Sequence, residues 1–137
     1  MKQIRLIAVD IDGTLTNQDK RITPRTQRAL LEAQKQGAAL VLASGRPACG
    51  LKNYALQLHL PAYGGKLVAF NGGLLADAKT GEVLYERKMP LPLAKEVLRH
   101  LRQFPVTVML CDGEALVVED ENGYQVEYEA NCNRLRI

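Results

Sequence analysis

The sequence predicts an α/β fold: a doubly wound parallel sheet over residues 1–82, then an α+β segment over residues 83–137. Three observations predict it. Two nearly continuous aliphatic runs, Ile4–Val9 and Ala38–Ala43, bracket an amphipathic stretch long enough for a crossover helix. A third run, Leu67–Phe70, follows a second helical stretch. After Asn71-Gly72-Gly73 the pattern changes to short runs separated by turn signals.

Ile4–Val9 lacks the alternation of a half-buried strand, so it is expected to be a strand buried on both faces, as in a parallel sheet. Thr23-Pro24 opens a helix, with Thr23 as N-cap and Pro24 in the first turn. Thr26, Leu30 and Ala33 share one face with Ala29 alongside, and Gly37 ends the helix as a left-handed cap. Ala38–Ala43 is the second strand, and a strand–helix–strand unit makes the two strands parallel. Pro47 starts a second helix with Leu51, Tyr54, Ala55 and Leu58 on one face, stopped by Leu60-Pro61. Leu67–Phe70 completes βαβαβ.

The second segment is antiparallel in style. Leu74–Ala76 and Val83–Arg87 flank Lys79-Thr80-Gly81 as a hairpin. Pro92–Gln103 is a helix with Leu93, Val97, Leu98 and Leu101 inward. Val106–Cys111 and Ala115–Glu119 flank Asp112-Gly113, a hairpin signal. Tyr124, Val126 and Tyr128 alternate with polar residues, which reads as a strand over Tyr124–Glu129.

The bulk properties narrow the function. Residues 1–66 hold 10 Lys/Arg against 4 Asp/Glu, and residues 67–137 hold 8 against 11. A basic first half suits an anionic substrate or is uneven solvated surface. No basic run is interleaved with aromatics, which argues against nucleic acid. Cys49, Cys111 and Cys132 have neither disulfide-framework nor zinc spacing, as expected of reduced cysteines in a cytoplasmic protein. No apolar run is long enough for a signal peptide or membrane span. His59 and His100 read as solvated or capping residues, and Met89 and Met109 as packing.

The chemistry concentrates in Asp10-Ile11-Asp12-Gly13-Thr14-Leu15-Thr16, directly after the first strand. Ligands of doubly wound sheets bind outside the carboxyl ends of the strands. Paired carboxylates there are costly unless bonded, paired with cations or bound to metal. An extended chain through Ile11 would point Asp10 and Asp12 to the same side. Gly13 would then let the backbone turn sharply. The pattern suits phosphoryl transfer: one carboxylate attacks phosphorus, the other moves the proton, and Mg²⁺ screens the repulsion. The alternative is two Asx caps in a turn. Ser44-Gly45-Arg46, after the second strand, can offer hydroxyl and backbone donors to a phosphate oxygen. Arg46 either faces the anion or caps the helix region.

Asp-Ile-Asp-Gly-Thr-Leu-Thr after an aliphatic strand resembles the first motif of the haloacid dehalogenase superfamily, which has a Rossmann-like core. The resemblance implies Asp10 as nucleophile and magnesium ligand. It implies Asp12 as acid/base, with its backbone carbonyl a second ligand, and Ser44 as phosphate ligand. Thr23-Pro24-Arg25, Leu42–Pro47 and Phe70–Gly73 are similar to the Cof-type sugar-phosphate phosphatases, in which an α+β cap follows the third strand. Residues 83–137 would then be part of that cap. Gly45 and Arg46 join Ser44 in the phosphate-binding set. Asn71 either lies near the site or simply makes an Asn-Gly turn.

The chain departs from the family in lacking the downstream Lys and the Gly-Asp with its further Asp. Lys52, Lys66, Lys79, Lys88 and Lys95 read as surface residues. The expectation is an N-terminal piece of a longer protein, weak alone in Mg²⁺ binding and turnover. Its first strand would expose an apolar edge that self-association could cover. The expected partner is a small phosphate ester. A phosphosugar mutase-type phosphotransferase and a non-catalytic binding remnant are the alternatives. A receiver domain is disfavoured because Phe70 leads into Asn71, not Asp. A DxD glycosyltransferase is disfavoured because no nucleotide-binding unit precedes Asp10.

Overall fold

The computed structural model describes residues 4–137. The chain divides into two compact units, one ending at Glu86 and one spanning Arg87–Ile137.

The first unit is a five-stranded sheet in sequence order. β1 (Leu6–Val9), β2 (Ala39–Ala43) and β3 (Lys66–Ala69) are parallel. β4 (Leu74–Asp77) and β5 (Val83–Glu86) continue it antiparallel. Val83–Glu86 therefore pairs with this sheet, although the change of sequence style placed it in the second segment.

α1 (Pro24–Lys35) forms where the caps predict it. Thr23 Oγ1 accepts from the Thr26 amide at 3.2 Å. At the other end, the Gly37 and Ala38 amides bond the carbonyls of Gln34 and Ala33. That pair of bonds closes the last turn and needs the positive φ of +92° that glycine supplies there. Ala29 lies outside the buried face, whereas Gln34 is buried and donates to the Leu58 carbonyl at 2.8 Å. That bond, to the residue that caps the end of α2 (Ala48–Gln57), puts a polar side chain on the inner face, which hydropathy alone does not predict. Leu51, Ala55 and Leu58 of the second helical stretch are buried as expected. They pack with Leu40, Leu42, Leu67 and Ala69 in one core. A single extra turn, α3 (Leu60–Tyr63), follows His59, which has left-handed φ.

Two strand expectations fail in this unit. β1 is not buried on both faces: Leu6 is 59% exposed and Ala8 is exposed. It is an edge strand among the described residues, with only β2 beside it. Phe70 does not extend β3. It turns out of the strand with φ +52° and is exposed, because its amide bonds the Arg46 carbonyl at 3.0 Å and not a neighbouring strand. Asp77 anchors the β4–β5 turn by accepting from the Lys79 and Thr80 amides, and Lys66 Nζ pairs with it at 2.9 Å. Lys66 is thus a half-buried partner and not a loose surface lysine.

In the second unit, α4 (Leu91–Leu101) forms, and the β6 (Met109–Asp112)–β7 (Ala115–Val118) hairpin forms about the predicted turn, although β6 starts three residues after the expected Val106. Leu93 is exposed, while Val97, Leu98 and Leu101 are half-buried. Met89, expected to pack, is exposed. The expected strand over Tyr124–Glu129 is wrong: Val126–Asn133 is a helix, α5. Val126, Ala130 and Asn133 are buried while Tyr124 is 79% exposed. The period that won is helical, and the tyrosines that suggested alternation face solvent.

Candidate active site

The register of the parallel strands builds a common rim. Val9 lies opposite Leu42, and Ala43 opposite Val68. Asp10, Ser44 and Phe70 are therefore the first residues beyond three adjacent strands. Backbone hydrogen bonds tie the rim together: the Ser44 amide donates to the Val68 carbonyl, and the Asn71 amide donates to the Ser44 carbonyl.

The first loop does not stay extended through Ile11. A wide turn begins there, closed by the Leu15 amide on the Asp10 carbonyl and the Thr16 amide on the Ile11 carbonyl, both 3.0 Å. Such i+5 turns are rare and occur often at functional sites. Gly13, at φ +79°, supplies the reversal. Ile11 and Leu15 are buried, and Thr16 Oγ1 bonds the Ile11 carbonyl at 2.9 Å. The aliphatic side chains thus anchor the loop while Asp10 and Asp12 are left exposed on either side of Ile11.

The two carboxylates have different surroundings. Asp12 receives Arg46 as a fork, Nε to Oδ2 at 2.7 Å and Nη2 to Oδ1 at 2.8 Å. Lys20 Nζ adds a third donor to Oδ1 at 2.7 Å. The Arg46 hydrogen bonds, and then those of Lys20, hold the Asp12 carboxyl well below the usual carboxylate range against the opposing effect of desolvation. Among the described residues no such cation sits on Asp10. Arg46 crosses from the second strand's loop to hold the first loop's acid.

Lys20 lies outside the sequence-predicted set, because the resemblance places the family's lysine downstream of Ser44. Its signal was the Asn17-x-Asp19-Lys20 turn. Asn17 Oδ1 accepts from the Asp19 and Arg21 amides, and the Lys20 amide returns to the Asn17 carbonyl at 3.0 Å. This leaves Lys20 at φ +59° in a tight loop closed by the Thr16–Ile22 bridge.

Ser44 is buried, and its Oγ accepts from the Arg46 amide at 3.2 Å. Its hydroxyl proton is left to donate. Gly45 and Asn71 are neighbours: a Cβ on Gly45 would lie 3.0 Å from Asn71 Oδ1. Asn71 is both turn and rim residue, at φ +53° in the link from β3 to β4. The six sequence-predicted site residues thus fall on one rim, five of them linked in two groups, Asp12 with Arg46 and Ser44 and Gly45 with Asn71, while Asp10 stands in neither.

The donor set is that of a hard cation. Mg²⁺ is commonly held by one or two carboxylates together with waters and substrate phosphate. Asp10 offers an exposed carboxylate, and Asp12 can offer its backbone carbonyl. The Asp12 carboxylate is already committed to two cations. Among the described residues no group of three His, Cys, Asp or Glu side chains assembles a metal cage. A few-ligand magnesium site fits these residues; a closed zinc-type site does not.

A family model described as haloacid dehalogenase-like hydrolase matches residues 7–135. A presumed phosphatase of Streptococcus pyogenes serotype M6 is 46% identical over 86 residues, covering 63% of this chain and 32% of that protein. The pyridoxal phosphate phosphatase of Escherichia coli K12 is 29% identical over 124 residues, covering 89% and 44%. A crystal structure of a haloacid dehalogenase-like hydrolase from Bacteroides thetaiotaomicron matches at 34% identity with a TM-score of 0.89. It covers 98% of this chain and 50% of that one. The chain spans half or less of the length of these relatives.

Proposed function

The chain belongs to the haloacid dehalogenase-like hydrolases, and we propose that it carries the nucleophile and acid/base of a magnesium-dependent phosphatase of small phosphate monoesters. The observation that supports this most is the division of labour between two carboxylates two residues apart. Asp10 is exposed and open to attack phosphorus, while Asp12 is held by Arg46 and Lys20.

The residues would act as follows. An Asp10 carboxylate oxygen attacks phosphorus, the ester P–O bond breaks, and the leaving oxygen takes a proton delivered through Asp12. Water then attacks the phosphorus of phosphoryl-Asp10, Asp12 takes a proton from that water, and Asp10 is restored as phosphate departs. The second half starts from the deprotonated Asp12 of the resting arrangement, and Arg46 and Lys20 must loosen their hold for that carboxylate to act as a base. Delivery in the first half requires Asp12 to acquire a proton as those cations are shared with the incoming dianion. Ser44 Oγ–H and the Gly45 backbone would hold phosphoryl oxygens, with Asn71 bordering them. Mg²⁺ on Asp10 and the Asp12 carbonyl would offset the repulsion between nucleophile and phosphate.

The relatives' named substrates include pyridoxal phosphate and phosphoglycolate. Their common part is the phosphoryl group, which supports a small monoester without selecting its alcohol. The second unit, Arg87–Ile137, fits the role of cap. Cys49, Cys111 and Cys132 form no disulfide among the described residues, which supports a cytoplasmic setting. Among the described residues no helix is long and apolar enough to cross a membrane.

The test is trapping. The purified chain is incubated with p-nitrophenyl phosphate and Mg²⁺, quenched in acid and mapped by mass spectrometry. One phosphoryl group is expected on the Asp10 peptide, dependent on Mg²⁺ and absent in Asp10→Asn. Steady turnover is expected to be slow. Labelling that persists in Asp10→Asn, or no labelling at any Mg²⁺ concentration, would sink the reading.

A further inference from the structure

The sequence pattern gives Tyr54 only a place on the inner face of α2, and the reaction above does not use it. The structure puts it against the guanidinium of Arg46 and the backbone of Lys20, the two residues that hold Asp12. Its ring centroid lies 5.9 Å from Arg46 Cζ, within range of cation–π attraction. Its hydroxyl donates a long hydrogen bond, 3.4 Å, to the Lys20 backbone carbonyl. Lys20 and Arg46 come from different loops, one after β1 and one after β2. Tyr54 is where the two loops meet a common helix.

That helix is firmly placed. Leu51, Ala55 and Leu58 are buried along it, so the Tyr54 ring is carried by the core of the unit. Asp12 is placed differently. It precedes a glycine at φ +79° and is exposed, so the direction of its carboxylate is set by the donors that reach it. Those donors are Arg46 and Lys20. A side chain needed at hydrogen-bond reach of an attacking water must hold its orientation closely.

We propose that Tyr54 is a positioning residue of this site: it braces Arg46 through its ring and Lys20 through its hydroxyl, and so aims the Asp12 carboxylate at the attacking water. The inference rests on the reading of Asp12 as acid/base. It deepens that reading by making α2, and not the first loop, the origin of the geometry. Tyr54 itself touches neither substrate nor the reacting atoms.

The step that depends on it is the breakdown of phosphoryl-Asp10. Formation from p-nitrophenyl phosphate makes little demand on Asp12, since p-nitrophenolate leaves without a proton. Loss of the brace therefore slows one step and spares the other, which a general loosening of the fold would not do.

Two measurements on the chain test this. The Arg46 Nε–H resonance, assigned by its loss in Arg46→Lys, is expected to exchange with solvent about tenfold faster in Tyr54→Leu than in wild type. In Tyr54→Phe, which keeps the ring, it should exchange near the wild-type rate. In single turnover, Tyr54→Leu is expected to form phosphoryl-Asp10 at close to the wild-type rate and to lose it about tenfold more slowly. Should Tyr54→Leu fail to fold, Tyr54→Phe carries the kinetic test in the same direction, having lost the hold on Lys20. Unchanged Arg46 exchange in a folded Tyr54→Leu chain would overturn the brace, as would equal slowing of formation and breakdown. A wild-type chain that never labels Asp10 would instead sink the phosphatase reading, and the exchange result alone would then decide the brace.

Discussion

At the scale of single residues, Asp12 concentrates the electrostatics of the site. Its side chain is 36% exposed, while that of Arg46 is 11% exposed. Replacing Asp12 by Asn removes the charge that Arg46 and Lys20 share. The cost falls mainly on Arg46, because a nearly buried cation deprived of its carboxylate loses about 1–3 kcal/mol. Lys20→Met should cost less, about 0–1 kcal/mol, as an exposed pair does. Urea unfolding of the two variants near neutral pH measures the difference. The pH dependence has a definite sign. A carboxyl with a depressed native pKa contributes stability that is complete above its unfolded value, about 3.9, and is lost as pH falls through the native value. The stability gap between wild type and Asp12→Asn is therefore expected to stay constant from neutral pH down to about pH 5 and to shrink below about pH 4. A gap that widened in acid would show that Asp12 is not held as a carboxylate by these cations.

At the scale of elements, α1 was legible from its ends, whereas the Leu60-Pro61 stop expected for the second helix instead opens α3, after α2 has ended at Gln57. Thr23-Pro24 and Gly37 mark α1 within a residue, since capping is local chemistry. Thr23→Ala is expected to cost about 1 kcal/mol, read as a lower thermal midpoint with Asp12 chemistry unchanged. Leu51 at the heart of α2 is fully buried, so Leu51→Ala should cost about 2–5 kcal/mol and loosen the Tyr54 face with it. The same local reasoning failed at α5. Tyr124, Val126 and Tyr128 alternate in sequence, yet only Val126 is buried. Short windows fit a strand and a helix about equally, and burial of Ala130 and Asn133 decided for the helix.

At the scale of the whole molecule, the consequence is in the first sheet. β1 pairs with β2 on one side, and its Leu6 is exposed among the described residues. Unpaired apolar edges invite further pairing, and a charge on the edge suppresses it. The 137-residue chain is expected to sediment as a concentration-dependent oligomer, and Leu6→Lys to shift it toward monomer at the same concentration. A wild-type chain that remains monomeric at high concentration would remove this expectation. In the second unit, Leu110 and Val117 face each other across the β6–β7 hairpin, and each is about half exposed. Each unit thus keeps part of its apolar surface in view.

What the sequence alone determined was whatever local chemistry specifies. That includes the aliphatic runs, the capped first helix, the Asp-x-Asp-Gly turn after a strand and the Ser-Gly-Arg after the next. These follow from backbone preferences and short periods, which depend on neighbours along the chain. Only the tertiary structure decided that Arg46 and Lys20 would close on Asp12, that Tyr54 would touch both residues, and that β1 would be exposed on one face. Those outcomes depend on strand register and on which helix face meets the core. The contacts they set join residues as far apart as 34 positions, which no local window reads.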